Sequence, residues 1–579
     1  MHFLSKLIFK PFQNAWQLLA VLSVPALLVG WFGLSQLNIA EPIYVIPAEL
    51  MKFLCEFLFL GILLSVLQLI GLKNKWFLGI LMFFYYVAMT ADLVLLWYFK
   101  ERFGAKYFDT LEGGDYNFMK DWRIITYLTL VALFSIFSVR KFLKDSPRLT
   151  ALHRLIVCVI GTTLLYVANP LWLLPKPMNF YTTYMMPPSV VYTARAMLAK
   201  QPPAHIVPGL DPQTALLARR YNVFDAKQTP VGKNYMRVIL IASESLSNKY
   251  MHHFNLNIPP EASAPLDKLY EENPSASLKH VTLSTLYGLS VIFTSHPFVR
   301  LAYENAYPFS LVQTLRDNGF HTAFLRGANE TYMDENILFK QAGFDEVIGA
   351  TYFNTREDYK KYVNWWGLLD RKLFDYAVEY LRIHKNEPTF VTLLTVDSHV
   401  PLGRLDYLGE EYQEINERFY DSPTLPRAFA RFGQDVERFL NNLTQQGLFD
   451  DDTLVLIMPD HPSYSNTPTN ALFKPFQSQF DNLPFIIVTK EKITAPVAKD
   501  EQLSQLDIAP TILDLLNMDI PRGMFGHSIF DIHAARSVFD IKEDYAVITT
   551  RYGQQVIPLN SRDKQDKALI DLMSTFVVE

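Results

Sequence analysis

Apolar residues are distributed unevenly along the chain. Long stretches fill the first third, and shorter apolar runs fill the remainder. A helix needs about 20 residues to cross a bilayer, and five stretches, with their flanks, reach that length. Tryptophan and tyrosine lie near several of their ends, as in interfacial belts. The pattern predicts an α-helical membrane domain over residues 1–175 with five transmembrane helices, at residues 16–37, 46–70, 76–98, 124–139 and 155–174.

The basic residues around these predicted spans indicate an orientation. Lysine and arginine precede the first span and occupy the loops between spans two and three and between spans four and five, whereas the loop after span one has neither. The loop after span three mixes both charge signs and favours the opposite orientation only weakly. The positive-inside rule then places the N-terminus in the cytoplasm and, after five crossings, the remaining chain outside. Two acids within spans, Glu56 and Asp92, are expected to pack and hydrogen-bond between helices.

Composition restricts the classes of protein that fit. The chain has 579 residues, 50% of them hydrophobic, and a formal charge of -5, so it lacks the basic surface that a nucleic-acid-binding protein needs. The apolar first third excludes a simple soluble enzyme, and the overall apolar content excludes a disordered chain. Cys55 and Cys158 both fall within predicted spans, so we expect no disulfide in the outer domain.

After the last predicted span, a proline-rich segment is followed by an alternation of strand-type and helix-type patterns. Residues 176–233 are predicted to be a juxtamembrane connector that contains an amphipathic helix at 187–199. Residues 234–579 alternate strand-type and helix-type patterns, which predicts an α/β domain with a mostly parallel sheet covered on both faces. The predicted strands are at residues 238–242, 321–325, 390–396, 454–458 and 485–488. The predicted helices are at residues 311–318, 373–383, 429–448 and 507–516.

Three of these strands end in acids or histidines. Glu244 follows the first strand, His399 follows the strand at 390–396, and Asp460 and His461 follow the strand at 454–458. The carboxyl ends of parallel strands meet at one edge of a sheet, where ligands bind. Carboxylate and imidazole ligands of this kind suit zinc or manganese, so the sequence predicts a divalent metal site at this edge.

A hydroxyl-rich segment at residues 280–290 lies just ahead of an apolar helical run. Thr285 opens the predicted helix, where a bound metal would lower the pKa of its hydroxyl and free N–H groups would favour a phosphate. Thr282, Ser284 and Ser277 are alternatives to this nucleophile. Arg326, at the end of the strand at 321–325, is a further candidate because a guanidinium binds phosphate in a bidentate manner.

Taken together, Glu244, Thr285, His399 and the Asp460–His461 pair resemble the alkaline phosphatase/sulfatase superfamily. More narrowly, the chain is similar to its membrane-anchored members: lipoteichoic acid synthases, phosphoglycerol transferases and phosphoethanolamine transferases. The resemblance implies a Zn²⁺ or Mn²⁺ ion held by Glu244, Thr285, Asp460 and His461. It further implies that His399 contacts the substrate phosphate, and it gives the outer domain an alkaline phosphatase-like α/β fold.

The resemblance also implies a reaction and a location. The expected activity is transfer of a phospholipid head group, phosphoglycerol or phosphoethanolamine, through a phosphothreonine at Thr285 to a hydroxyl of a glycan or lipid. The expected location is the bacterial cytoplasmic (inner) membrane, with the catalytic domain outside. A hydrolase of phosphate or sulfate esters and a non-catalytic membrane scaffold or sensor with the same fold are the alternatives. No nucleic-acid partner is expected.

Overall fold

The computed structural model describes the chain in parts. The described residues are 42–71, short pieces between 74 and 92, 148–167, 191, 205–297, 308–332, 335–363, 366–399, 424–463, 482–541 and 545–578. The chain divides into two compact units, Met1–Gln201 and Pro202–Glu579.

The described residues of the first unit include two long helices, α1 (Pro42–Leu69) and α2 (Arg148–Val167). Among the described residues, one stretch, Leu50–Leu69 within α1, is both long and apolar enough to cross a membrane, and Trp76–Tyr85 and Thr150–Leu164 are shorter apolar helices. The predicted spans at 16–37 and 124–139 lie outside the described residues. So does the predicted helix at 187–199 apart from residue 191. Five crossings therefore remain a prediction.

Glu56, one of the two acids in the predicted spans, is fully buried in this unit. Its Oε1 accepts a hydrogen bond from Lys52 Nζ at 3.1 Å, one helical turn away, and its Oε2 accepts one from the Tyr85 hydroxyl. Pairing of this kind is what makes a carboxylate tolerable among apolar helices. The contacts agree with the expected packing role.

The second unit is an α/β domain. Its helices are α3 (Pro212–Tyr221), α4 (Pro260–Glu272), α5 (Thr285–Thr294), α6 (Leu311–Asp317), α7 (Glu335–Gln341), α8 (Ala350–Thr355), α9 (Asp370–Ile383), α10 (Thr424–Gln445), α11 (Ile508–Leu515) and α12 (Lys564–Ser574). Its strands are β1 (His205–Val207), β2 (Arg237–Ser243), β3 (Ser275–Leu278), β4 (His321–Arg326), β5 (Glu346–Ile348), β6 (Thr389–Leu394), β7 (Thr453–Pro459), β8 (Leu483–Thr489), β9 (Val538–Ile541), β10 (Tyr545–Thr550), β11 (Gly553–Pro558) and β12 (Thr575–Val577).

Seven strands form the central sheet, in the order β3-β8-β7-β2-β6-β4-β5. The five strands from β7 to β5 run parallel, while β8 and β3 add antiparallel pairings at one side. Alternate residues of β2 enter different cores. Ile239 and Ile241 pack in one apolar cluster, whereas Val238 and Leu240 pack in the other. The predicted α/β fold with a mostly parallel sheet covered on both faces is confirmed.

Two small sheets accompany the central one. Strands β9, β10 and β11 form an antiparallel sheet, and β1 pairs in parallel with β12. Neither was predicted from the sequence. Strands β1, β9 and β12 have only three or four residues each, and half of β11 is exposed, so their apolar periodicity is weak.

Candidate metal centre and nucleophile

The register of the central sheet brings the predicted ligands together. Ser243 at the end of β2 is paired with Pro459 at the end of β7. The next residue of each strand is an acid, so Glu244 and Asp460 lie side by side, and His461 follows directly. One ligand atom from each of Glu244, Asp460 and His461 lies within 4.8 Å of the others, and all three residues are buried.

A tight turn after β2 holds this arrangement. Ser245 has a positive φ of 61°, which is uncommon for a residue with a side chain. In this conformation its N–H donates to Asp460 Oδ1 at 3.0 Å and its hydroxyl donates to Glu244 Oε1 at 2.5 Å. The Glu244 backbone is fixed as well: its N–H donates to the Thr395 hydroxyl oxygen at 2.9 Å, and its carbonyl accepts from the Ser398 hydroxyl at 2.6 Å.

Thr285 is the first residue of α5, and Ser284 occupies the N-cap position without a side-chain capping bond. The Thr285 hydroxyl oxygen lies 3.2 Å from His461 Nε2 and 3.4 Å from Glu244 Oε2. The hydroxyl thus contacts two of the three clustered side chains and sits where the free N–H groups of a ten-residue helix favour an anion.

The alternative hydroxyls lie elsewhere. Ser277 is inside β3, where its oxygen accepts hydrogen bonds from Asn248 Nδ2 at 2.7 Å and Asn482 Nδ2 at 3.2 Å. Within the described part of the chain, neither Thr282 nor Ser284 forms a side-chain hydrogen bond with the acidic cluster. Thr285 is therefore the best-placed nucleophile in this segment.

The donor set fits a divalent cation. The Oδ2 atom of Asp460 is buried and has no hydrogen-bond partner among the described residues. His461 Nδ1 lies 2.9 Å from the carbonyl of Pro462, so an Nδ1–H donates there and Nε2 presents its lone pair to the two carboxylates. A second hydrogen bond of this kind is the usual way in which a protein orients a metal-binding imidazole. Two buried carboxylates and an oriented imidazole suit Zn²⁺ or Mn²⁺.

Burial and the mutual charges of the clustered residues shift their pKa values in different directions. Burial, with the added charge of Glu244, raises the pKa of Asp460 to about 7. Burial also acts to raise the pKa of Glu244, but the charges of His399 and His461 and the hydrogen bond from Ser245 outweigh it and lower that pKa. Burial acts to lower the pKa of His461, and the two acids outweigh it and raise that pKa. A bound dication would offset the repulsion between the acids.

The two predicted substrate-binding residues lie at the same edge. Arg326 ends β4, is buried, and pairs with Glu335. Burial lowers the pKa of Arg326 to about 10, and the negative charge of Glu244 is the largest influence that raises it. His399 is half-buried behind β6, its ring 4.1 Å from that of Trp366, and its charge reaches Glu244. Both side chains therefore lie within electrostatic range of the cluster.

Sequence reasoning missed the residues that connect these parts. Gln505 donates from Nε2 to the Asp460 carbonyl at 2.6 Å and accepts at Oε1 from the Val281 N–H at 2.8 Å. Gly288, in the first turn of α5, faces the same carbonyl. Trp366 was missed too, because it lies outside any regular strand or helix. Of these, only the glycine inside an apolar helical run gave a signal, since such a glycine often has a packing reason.

Comparison with known proteins agrees with this geometry. Residues 237–518 match the family model described as Sulfatase. Phosphoglycerol transferase I of Salmonella arizonae is 25% identical over 336 residues, which is 55% of this chain and 42% of that protein. Phosphoglycerol transferase I of Escherichia coli O6:K15:H31 is 23% identical over 326 residues, 53% of this chain and 41% of that protein. The match thus spans about two fifths of the length of these curated relatives.

One solved structure extends the likeness over more of the chain. It is the integral membrane protein lipooligosaccharide phosphoethanolamine transferase A from Neisseria meningitidis, with a TM-score of 0.51 and 13% identity. The superposition covers 86% of this chain and 95% of that one. At this identity the likeness concerns the fold alone. The resemblance to membrane transferases of the alkaline phosphatase/sulfatase superfamily is confirmed.

Proposed function

We propose that this chain transfers a phospholipid head group, because residues 237–518 match the family model described as Sulfatase. The group is phosphoglycerol or phosphoethanolamine, the groups named in its relatives. The acceptor is a hydroxyl of a glycan or lipid. We place the protein in the cytoplasmic membrane of a bacterium, crossing it five times, with the catalytic domain outside, as the sequence pattern predicts.

One observation carries the proposal: the Thr285 hydroxyl lies 3.2 Å from His461 Nε2 and 3.4 Å from Glu244 Oε2, at the start of a helix. A hydroxyl in this position is a nucleophile rather than a surface threonine. A divalent ion held by Glu244, Thr285, Asp460 and His461 would lower the pKa of that hydroxyl and offset charge on the phosphoryl oxygens.

The residues of the chain then divide the reaction into two displacements. In the first, Thr285 Oγ1 forms a bond to phosphorus, the bond from phosphorus to the diacylglycerol oxygen breaks, and that oxygen receives the proton that Thr285 loses. In the second, the acceptor oxygen bonds to phosphorus, the Oγ1–phosphorus bond breaks, and Thr285 regains a proton. Arg326 and His399 bind the phosphoryl oxygens in both steps.

The test measures the release of diacylglycerol and the covalent modification of Thr285. The purified full-length chain is incubated with vesicles that contain phosphatidylglycerol and phosphatidylethanolamine with labelled acyl chains. We expect labelled diacylglycerol, and a phosphoglycerol or phosphoethanolamine ester on Thr285 by peptide mass spectrometry. Thr285→Ala should lower diacylglycerol release about a thousandfold or more. Ser284→Ala, the matched loss of the neighbouring hydroxyl, should leave it nearly unchanged.

Other outcomes would point elsewhere. If Thr285→Ala keeps its activity while Ser284→Ala loses it, the nucleophile is wrongly assigned. If free glycerophosphate or phosphoethanolamine appears as fast as diacylglycerol even when acceptor glycan is supplied, water is the acceptor and the chain is a hydrolase. If the chain binds metal but releases no diacylglycerol and turns over no soluble phosphate or sulfate ester, the non-catalytic alternative applies.

A further inference from the structure

A second cluster of metal-ligating side chains lies at the opposite edge of the central sheet. His321 is the first residue of β4, Glu346 is the first residue of β5, and His384 directly follows α9. Strand β4 reaches the catalytic edge five residues later, at Arg326. At about 3.3 Å per residue, the cluster is about 16 Å from that residue. It is therefore separate from the candidate metal centre already described.

The ligand atoms of this cluster are close enough to share one ion. One atom from each of His321, Glu346 and His384 lies within 4.8 Å of the others, and all three residues are partly buried. His321 Nε2 is 3.4 Å from Glu346 Oε1, and the two imidazole rings are stacked at 4.5 Å with only 5° between their planes. A tetrahedral zinc with bonds of about 2.0–2.1 Å separates its ligands by about 3.3 Å, close to the spacing of His321 Nε2 and Glu346 Oε1. Because an imidazole binds a metal in the plane of its ring, one of the two stacked rings must rotate out of the stack when the ion binds.

One of the two histidines has a carboxylate hydrogen-bonded behind it. His384 Nδ1 lies 2.6 Å from Glu387 Oε1, so an Nδ1–H donated to that carboxylate leaves Nε2 as the lone-pair nitrogen. His321 Nδ1 is 3.9 Å from Asp345 Oδ2, which is too far for a hydrogen bond, while its Nε2 faces Glu346. The arrangement of carboxylate, histidine and metal recurs in protein zinc sites, where the carboxylate fixes the ring and raises its basicity.

A purely hydrogen-bonded cluster is the competing explanation. The Tyr380 hydroxyl lies 2.7 Å from His321 Nε2. Burial, the charge of Glu346 and a hydrogen bond to Glu346 together raise the pKa of Tyr380, so the phenol remains a neutral donor. Tyr380 thus has Glu346 as a second partner and does not need His321. The three carboxylates around two imidazoles leave an excess of negative charge that a phenol does not offset and a dication does.

We propose that His321, Glu346 and His384 bind a second divalent transition-metal ion, with Zn²⁺ the best match to two imidazoles and one carboxylate. Three protein ligands leave a fourth position for water or another donor. The ligands come from the starts of two strands and the end of a helix that are far apart in sequence. The ion therefore fastens the amino-terminal edge of the sheet and stabilises the domain.

Metal content of the purified full-length chain tests the proposal. Wild type and variants are loaded with ZnCl₂, desalted, and analysed for zinc per chain. His384→Ala should retain one ion fewer than wild type. His253→Ala is the matched control, because His253 also pairs with a carboxylate, Glu271 at 2.9 Å, outside the cluster. It should retain the wild-type number, and so should Tyr380→Phe, which removes only the competing hydroxyl.

A stability measurement gives a second readout in case a variant loads poorly. In an Asp460→Asn background, which disables the first site, zinc at a hundredfold excess over its Kd should raise Tm by about 3 °C. Adding His384→Gln should abolish that shift. Equal zinc content in wild type and His384→Ala, or an undiminished Tm shift with His384→Gln, would overturn the proposal. So would an equal loss in His253→Ala, since zinc would then be binding to surface histidines only.

Discussion

Gly288 offers a sharp test of how closely the proposed nucleophile and the proposed metal ligands must be held. It lies one turn into α5, three residues after Thr285. A Cβ atom at this position would be 2.1 Å from the carbonyl oxygen of Asp460 and 3.0 Å from its carbonyl carbon. Carbon–oxygen contacts in proteins are about 3.3 Å or longer. Gly288→Ala therefore forces α5 and the β7 terminus apart by about 1 Å.

The two consequences of that displacement differ in size. Alanine favours a helix over glycine by about 1 kcal/mol, while forced overpacking costs about 1–3 kcal/mol, so the net change in the free energy of unfolding is small to moderate. Catalysis is more sensitive, because a 1 Å misplacement of a reacting group can cost about a hundredfold. We expect Gly288→Ala to fold and to lower kcat/KM about a hundredfold.

The assay is cleavage of a small soluble phosphodiester, with thermal unfolding measured on the same samples. Gly209→Ala is the matched control, since a Cβ there meets nothing within 4 Å. It should change neither quantity. A Gly288→Ala enzyme with wild-type kcat/KM and Tm would refute the close contact between α5 and Asp460. A loss of folding in Gly288→Ala would instead show that the contact is rigid and that the displacement cannot be absorbed.

Two further predictions concern the metal and pH. A chelator should abolish phosphodiester cleavage, and added Zn²⁺ or Mn²⁺ should restore it. Asp460→Asn should lower metal occupancy at the catalytic edge, and full occupancy in this variant would contradict the proposed ligand set. His296 is fully buried, and burial lowers its pKa to about 3 although a hydrogen bond to the Thr575 carbonyl opposes the shift. Because the pKa of His296 is about 6.5 in the unfolded chain, its contribution to the free energy of unfolding is complete above that pH and is lost as the pH falls towards 3. The loss is about 2 kcal/mol at pH 5. Denaturant unfolding of His296→Phe should show a pH slope shallower by one proton, and an unchanged slope would contradict this.

The fold was predictable where the sequence repeats one simple pattern. Strands β2, β6 and β7 are nearly continuous runs of Val, Ile, Leu and Thr, and their observed bounds lie within two residues of the predicted ones. Strands buried on both faces need such runs, since no face meets water. The helices between these strands predicted that the strands run parallel. Parallel strands end at one edge of the sheet, so Glu244, Asp460 and His461 were expected to lie together at that edge.

Other parts were not predictable because no local pattern marks them. Strand β3 is a short segment with two serines, and β5 has three residues. Their pairing is decided by neighbouring strands rather than by their own composition. The cluster of His321, Glu346 and His384 was missed for a related reason. Its members begin strands or follow a helix. Ligand sites are expected at the carboxyl ends of parallel strands and not at their starts, so nothing in the sequence pointed to this cluster.

The connections between the elements explain why the candidate site could be predicted as a set of residues but not as a geometry. The sheet register alone pairs Glu244 with Asp460, but nothing in the register fixes α5. That helix is fixed by Gln505, which links the Val281 N–H to the Asp460 carbonyl, and by the absence of a side chain at Gly288. These contacts are made to the backbone of Val281 and Asp460, so the identities of the motif residues do not reveal them. Both contacts are made between protein groups. They hold the Thr285 hydroxyl beside the proposed ligands, and such preorganisation is what lets a site stabilise charge without rearranging during the reaction.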